Sequence, residues 1–292
     1  MDIKFFKTLW GFAGDISLAA AQAAEAGFHG LEGQAAVALG SRGADGMDYL
    51  VGQLAAHKLD YIAEICACGS YVPERRATPA EHLADIKAQI LGAAPLQPRF
   101  FTILAGCDAW PLEVQTDFFR RAVDLAADLN VVCSFETHRS RSFFNPWTTA
   151  AVAAQVPGLL LTLDISHWVV VCERLLDTDW ETLAPLFGRV HHIHSRVGYP
   201  QGPQVPHPAA LEYAPCLDFH QRCWEAVWTD QQRRGYATTT MTPEFGPDGY
   251  LHTLPFTDMP VADLWEINRW MAKTEQNHYR RFMDIQNTPS QS

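Results

Sequence analysis

The chain has 292 residues, of which 48% are hydrophobic and 19% charged, and its formal net charge is −11. That length and composition suit one large globular core and exclude a disordered chain. So acidic a surface repels phosphate backbones and anionic lipid, which argues against nucleic acid and membrane as partners.

The first residues, Met1-Asp2-Ile3-Lys4, lack a basic segment leading into an apolar one, and no run reaches membrane-spanning length. The seven cysteines are odd in number and lie mostly in apolar runs. Cys66-Ala67-Cys68 is one residue short of a CxxC motif. Small buried thiols in a reducing compartment are expected, and with them a cytoplasmic location.

In chain order, short apolar runs read as buried strands at 3–9, 30–33, 61–67, 100–105, 131–136, 159–164, 190–194 and 238–244. Helical stretches separate them. Asp15 opens an Ala-rich helix that stops at Gly27. Thr78-Pro79-Ala80-Glu81 combines a capping box with proline at the first helical position, and Asn145-Pro146 starts a helix in the same manner. Helical periodicity also fits 114–129, 216–234 and 261–282. It is least distinct after the second and sixth strands. Eight strand–helix units predict an α/β chain closed into a (β/α)8 barrel over 1–286, with 287–292 a frayed tail. The alternative is a doubly wound open sheet, but no Gly-rich phosphate fingerprint follows any strand.

In such a barrel the chemistry sits where the strands end. Here the fifth ends Phe135-Glu136-Thr137-His138 and the sixth Leu163-Asp164-Ile165-Ser166-His167. The seventh ends His192-Ile193-His194-Ser195-Arg196 and the eighth Thr242-Pro243-Glu244. Alternation along a strand puts Glu136 with His138, His192 with His194, and Thr240 and Thr242 with Glu244. If those faces point inward, Glu136, Asp164, His194 and Glu244 converge near the axis. A lone Glu or His at a strand end is ordinarily a solvated or hydrogen-bonded side chain. Four on adjacent strands are harder to read that way, because three grouped carboxylates repel one another unless a cation joins them. Three oxygens and one imidazole suit Mn²⁺ first, then Mg²⁺, Co²⁺ or Zn²⁺, and the lack of thiolate argues against structural zinc.

Asp164-x-x-His167, the His-x-His strand and the Glu closing the last strand resemble the xylose-isomerase-like barrel superfamily of sugar isomerases and epimerases. The likeness spans the chain in topology, and its specific motifs lie between Val131 and Gly246. It implies that Glu136, Asp164, His194 and Glu244 bind one divalent ion and that Glu136 and Glu244 are the acid/base pair. It implies that His167 contacts substrate oxygen; Arg196 and His138 are further candidate substrate contacts from their own placement at the strand ends. Arg196 follows the histidine sooner than the epimerases' substrate-side arginine does. The implied activity is metal-dependent isomerisation or epimerisation of a sugar through an enediolate. A lyase or dehydratase on a keto-sugar or inosose is the alternative, and a non-catalytic sugar- or metal-binding barrel a third reading. Early-strand ligands for an endonuclease-type metal cluster are missing. Residues 197–215, rich in Pro and Gly, read as a loop covering the substrate, and 245–260 as a second. Trp10, Trp168, Phe245 and Tyr250 are candidates to stack on a sugar ring. No phosphate loop is seen, which favours an unphosphorylated sugar. Oligomeric state is left open, although such barrels often pair.

Overall fold

A computed structural model describes residues 1–40, 45–247 and 249–287 of the chain. Eight parallel strands close in sequence order into a barrel. They are β1 (Asp2–Thr8), β2 (Gly30–Gln34), β3 (Asp60–Cys66), β4 (Phe101–Leu104), β5 (Cys133–Glu136), β6 (Leu161–Leu163), β7 (Val190–His194) and β8 (Thr238–Thr242). The last joins the first, with Ile3 paired to Thr239 and Phe5 to Met241. The (β/α)8 architecture expected from the sequence is the one observed.

Ten helices surround the strands among the described residues. α1 (Ile16–Glu25) begins where Asp15 accepts a hydrogen bond from the Ser17 amide. α2 (Ala35–Leu39) and α3 (Gly46–His57) follow β2, and α4 (Pro79–Ala93) carries the complete Thr78–Glu81 capping box. α5 (Leu112–Asp128) and α6 (Pro146–Ala153, capped by Asn145) precede α7 (Ile165–Val171) and α8 (Trp180–Phe187). α9 (Ala214–Arg233) and α10 (Leu264–Asn287) end the chain. The connections after β2 and β6 are each broken into two short helices, which is why neither shows one long periodic pattern. The helix expected to stop near 282 continues to Asn287, and the rest of the expected frayed tail lies outside the described residues.

Alternation sorts the strands as the pleat requires. Phe101, Cys133, Phe135, Leu161, Ile193 and Met241 face the helices and join the main apolar core. Within the barrel, Phe6, Ile62 and Phe100 form a separate small apolar floor. Above that floor the lining turns polar. Thr102 Oγ1 donates to Thr162 Oγ1 at 2.8 Å, and Ser134 Oγ shares a 2.7 Å hydrogen bond with the same hydroxyl. His192 lies in the same interior, its ring 5.2 Å from that of Phe100. Branched apolar side chains ordinarily fill such layers. Here hydroxyls and an imidazole do so, and each hydroxyl has its partner.

α9 and α10 are locked by charge. His278 Nδ1 lies 2.8 Å from Glu275 Oε2 and its Nε2 lies 2.7 Å from Glu225 Oε1. Burial opposes the imidazolium, but Glu275 and Glu225 prevail and raise the His278 pKa. A pKa raised on folding gives stability that is complete below the unfolded value near 6.5 and is lost as pH rises through the folded one. Stability measured by urea denaturation should therefore fall across that window. His278→Ala should flatten the dependence, and an unchanged slope in the variant would contradict the assignment.

Candidate functional site

Glu136 is the last residue of β5 and His194 the last of β7, while Asp164 follows β6 directly and Glu244 stands just beyond β8, after Pro243. The backbone around them is tightly held. Thr137 Oγ1 donates to the Asp164 carbonyl at 3.0 Å and accepts from the Asp164 amide at 2.9 Å, which ties the ends of β5 and β6 together. Beyond Glu244, the Phe245 amide and carbonyl are both bonded by Asn268, and those of Gly246 by Gln204. Glu244 is thereby fixed from behind by two buried side-chain amides.

One ligand atom from each of Glu136, Asp164, His194 and Glu244 lies within 4.8 Å of the others, and all four residues are buried. His194 Nδ1 sits 3.1 Å from Glu244 Oε2 and 3.7 Å from Glu136 Oε1. Despite that closeness it has no hydrogen-bond partner of acceptable geometry among the described residues. Asp164 caps α7, its Oδ1 accepting from the Ser166 amide at 3.0 Å and the Ser166 hydroxyl at 2.5 Å. Its Oδ2 accepts from Arg196 Nη2. Arg196 Nη1 reaches to 3.6 Å from Glu244 Oε2, so one guanidinium faces two of the carboxylates.

The electrostatics record how crowded this is. Burial raises the Glu136 pKa to about 8, with Glu244 and Asp164 adding to the rise against the pull of His194. Burial also raises Asp164, against Arg196. For His194 burial works against the cation, but Glu244, Glu32 and Glu136 carry its pKa well above the ordinary value. His138 and His167 are driven the other way, well below theirs, chiefly by burial.

The sequence-derived residues divide as follows. The four proposed ligands come together. Arg196 joins them, tied to Asp164, with its guanidinium 4.8 Å above the Tyr250 ring and 5.4 Å from that of Trp10. His167 stands behind Arg196, with Nε2 2.6 Å from Nη2, and must accept that bond as a neutral ring. The His138 ring packs on His167 with 3.9 Å between centroids. His191, expected to face the helices, falls at a register shift in β7, its ring 4.6 Å from that of Phe100 and its Nδ1 3.0 Å from the Tyr236 hydroxyl.

A cavity of about 200 Å³ opens directly beside the carboxylates. Glu136, Glu244, Arg196 and His138 line it, together with Trp10, Gln34, Glu64, Cys66, Tyr71 and Tyr250. Gly246 makes room for the Trp10 wall: a Cβ there would lie 2.1 Å from the indole. His167 is not among the lining residues, nor are Trp168 and Phe245, both fully buried, with the Trp168 indole donating to the Phe143 carbonyl. The 197–215 segment does not line it either. Val197 and Val205 are buried, and Gln204 clamps the segment to Gly246. The wall comes instead from the segments after β1, β3 and β8.

Sequence reading passed over Glu32 and Glu64. Glu32 is buried in β2, with Oε1 3.0 Å from His194 Nε2 and Oε2 3.1 Å from His192 Nε2. Glu64 lies in β3 with Gln34 Nε2 at 3.3 Å, and burial, then Glu244 and Glu32, raises its pKa to about 7. The available signal was a single carboxylate inside an otherwise apolar strand run, Leu31-Glu32-Gly33 and Ala63-Glu64-Ile65.

No protein-family model matches the chain, and no curated protein matches its sequence. Solved structures match its shape. An L-ribulose 3-epimerase aligns with a TM-score of 0.65 at 12% identity, covering 100% of both chains. The IOLI protein, solved with a bound zinc atom, gives 0.65 at 15% identity over 97% of this chain and 99% of its own. D-Psicose 3-epimerase from Clostridium cellulolyticum H10, solved with D-tagatose, gives 0.64 at 12% identity over 95% and 99%. At such identities the shared property is the fold, and it is the fold that the xylose-isomerase-like motifs implied.

The cavity wall after β3 depends on Arg141, a fully buried guanidinium among carbonyls. It donates to Ala67 O at 2.7 Å, to Tyr71 O at 3.2 Å and to Ser70 O. Hydrogen bonds from a charged group contribute about 1.5–3 kcal/mol, and bare buried carbonyls add a further cost. Arg141→Met should lower the unfolding free energy by about 2–3 kcal/mol in chemical denaturation and speed proteolysis near Tyr71. Unchanged values for both would contradict this role.

Proposed function

We propose that the chain is a divalent-metal-dependent isomerase or epimerase of a sugar, with Glu136, Asp164, His194 and Glu244 as metal ligands. The observation that carries this reading is His194 Nδ1: buried, without a hydrogen bond among the described residues, and set between Glu136 and Glu244, which line a cavity. The donor set fits a hard or borderline cation. Three buried carboxylates exceed what Arg196 alone neutralises, and an imidazole nitrogen completes four ligand atoms in one small volume. Mn²⁺ is the ion we favour for this oxygen-rich set. A bound ion supplies Lewis-acid polarisation of a substrate carbonyl and its neighbouring hydroxyl.

The remaining chemistry belongs to the side chains. A carbon beside a carbonyl carries an acidified proton, and a carboxylate within reach removes it. Glu136 and Glu244 come from the fifth and eighth strands and both line the cavity, so a sugar there meets both. One takes the proton and the other returns it, at the same carbon for epimerisation or at its neighbour for isomerisation. Arg196 holds Asp164, and His167 holds Arg196 in turn, so these two orient the ligand set. His138 faces the substrate. Trp10, Tyr71 and Tyr250 provide apolar rings on which a sugar face can lie. A cavity near 200 Å³ accommodates a monosaccharide. Uncharged sugar suits it, because Glu64 adds a carboxyl group and no cation to the wall and Arg196 is already engaged. The structural likeness to an L-ribulose and a D-psicose 3-epimerase supports this reaction class. The seven free cysteines support a reducing, cytoplasmic setting, and among the described residues no helix is long and apolar enough to cross a membrane.

The test is a panel of unphosphorylated ketoses in deuterated water with Mn²⁺-loaded protein. Expected are a product of unchanged skeleton and deuterium at the exchanged carbon. Glu136→Gln and Glu244→Gln should keep the fold by circular dichroism and lose about 10²–10⁴-fold in turnover. Full activity in either variant would overturn the acid/base assignment, and loss of water from the product would make the enzyme a dehydratase.

A further inference from the structure

We propose that Glu32 is the positioning residue that turns His194 so that Nδ1, and not Nε2, is the nitrogen offered to the metal. The inference rests on the metal reading above and concerns a residue outside its four ligands.

Glu32 is 1% exposed and lies on β2, on the far side of the barrel from Glu136 and Asp164. Its Oε1 is 3.0 Å from His194 Nε2, Oε2 is 3.1 Å from His192 Nε2, and Oε2 also accepts from the Thr242 hydroxyl. An ionised carboxylate can only accept hydrogen bonds, so both Nε2 atoms must carry protons. For His192 the remaining nitrogen, Nδ1, is taken by the Thr240 hydroxyl at 2.7 Å. For His194 the remaining nitrogen has no hydrogen bond among the described residues and faces Glu136 and Glu244. Two histidines two residues apart on one strand are thus set by one carboxylate. His192 serves as packing and as a brace for Glu32, and His194 as the residue whose free nitrogen points at the site.

Glu32, His192 and His194 are themselves close enough to be read as a second cation site. The contacts argue against that. The separations of 3.0 and 3.1 Å are those of hydrogen bonds, and Thr242 adds a third donor to the same carboxylate. A histidine whose far nitrogen donates to a carboxylate is a common way of fixing ring orientation at a metal, and losing such a partner costs about 10–100-fold in metal affinity.

The experiment uses the full chain, Zn²⁺ alone as the probe, and ¹⁵N-histidine labelling. In wild-type protein, calorimetric titration should give one zinc per chain. Long-range ¹H–¹⁵N spectra should show His194 bound through Nδ1 with a protonated Nε2. In Glu32→Gln the side-chain amide can accept from only one of the two histidines. Zinc affinity should fall about 10–100-fold, and the protected His194 Nε2–H signal should be lost. A merely structural role would change stability without moving either readout. Equal affinity in the variant, ligation through Nε2, or two zinc ions per wild-type chain would each overturn the proposal. Failure of the wild-type protein to bind zinc would overturn the metal reading itself, and this role with it.

Discussion

Glu136, Asp164 and Glu244 are carboxylates held out of water within a few ångströms of one another, and much of the upper half of the barrel is arranged around keeping them there. Three buried negative charges without compensation would be prohibitive. Arg196 answers two of them, a protonated His194 answers more, and Glu136 holds its own proton up to about pH 8. With those protons in place Arg196 and His194 balance Asp164 and Glu244, so the metal-free cluster is neutral only by holding protons on Glu136 and His194. Exchanging those protons for a divalent cation keeps that balance.

The support beneath the cluster has a graded character. At the floor, Phe6, Ile62 and Phe100 exclude water. Above them the hydroxyls of Thr102, Ser134 and Thr162 satisfy one another, so the interior becomes polar without leaving those groups unpaired. Glu32, His192, Thr240 and Thr242 form the next level, and the four candidate ligands stand at the rim. Glu32 on that level holds His194 on the rim, as precise placement of reactive groups requires. The apolar core outside the barrel, between strands and helices, provides the bulk of the burial and leaves the interior free for this ladder.

Much of this was legible in the sequence, for identifiable reasons. Strand ends with a polar terminus after an apolar run located Glu136, Asp164, His194 and Glu244, because period-two alternation fixes which side chains share a face. Cap chemistry located the starts of α1, α4 and α6. Glu32 and Glu64 were not found, since one carboxylate inside a strand gives no periodic signal and its partners lie on strands far along the chain. His167 was read as a substrate contact, whereas its closest polar neighbour is Arg196. The Pro- and Gly-rich segment after β7 was read as a substrate cover. Composition shows that a loop has a defined shape but not what it packs against, and Gln204 and two buried valines hold this one to the body of the protein.

The most direct test of the central claim is elemental analysis of the purified protein beside an Asp164→Ala variant. Convergence of the four residues on a cation predicts one divalent ion per wild-type chain and its loss from the variant. Wild-type protein that stays metal-free after incubation with Mn²⁺, Co²⁺, Mg²⁺ or Zn²⁺ would show that Arg196 and the bound protons are the permanent answer to the buried carboxylates, and would contradict the account.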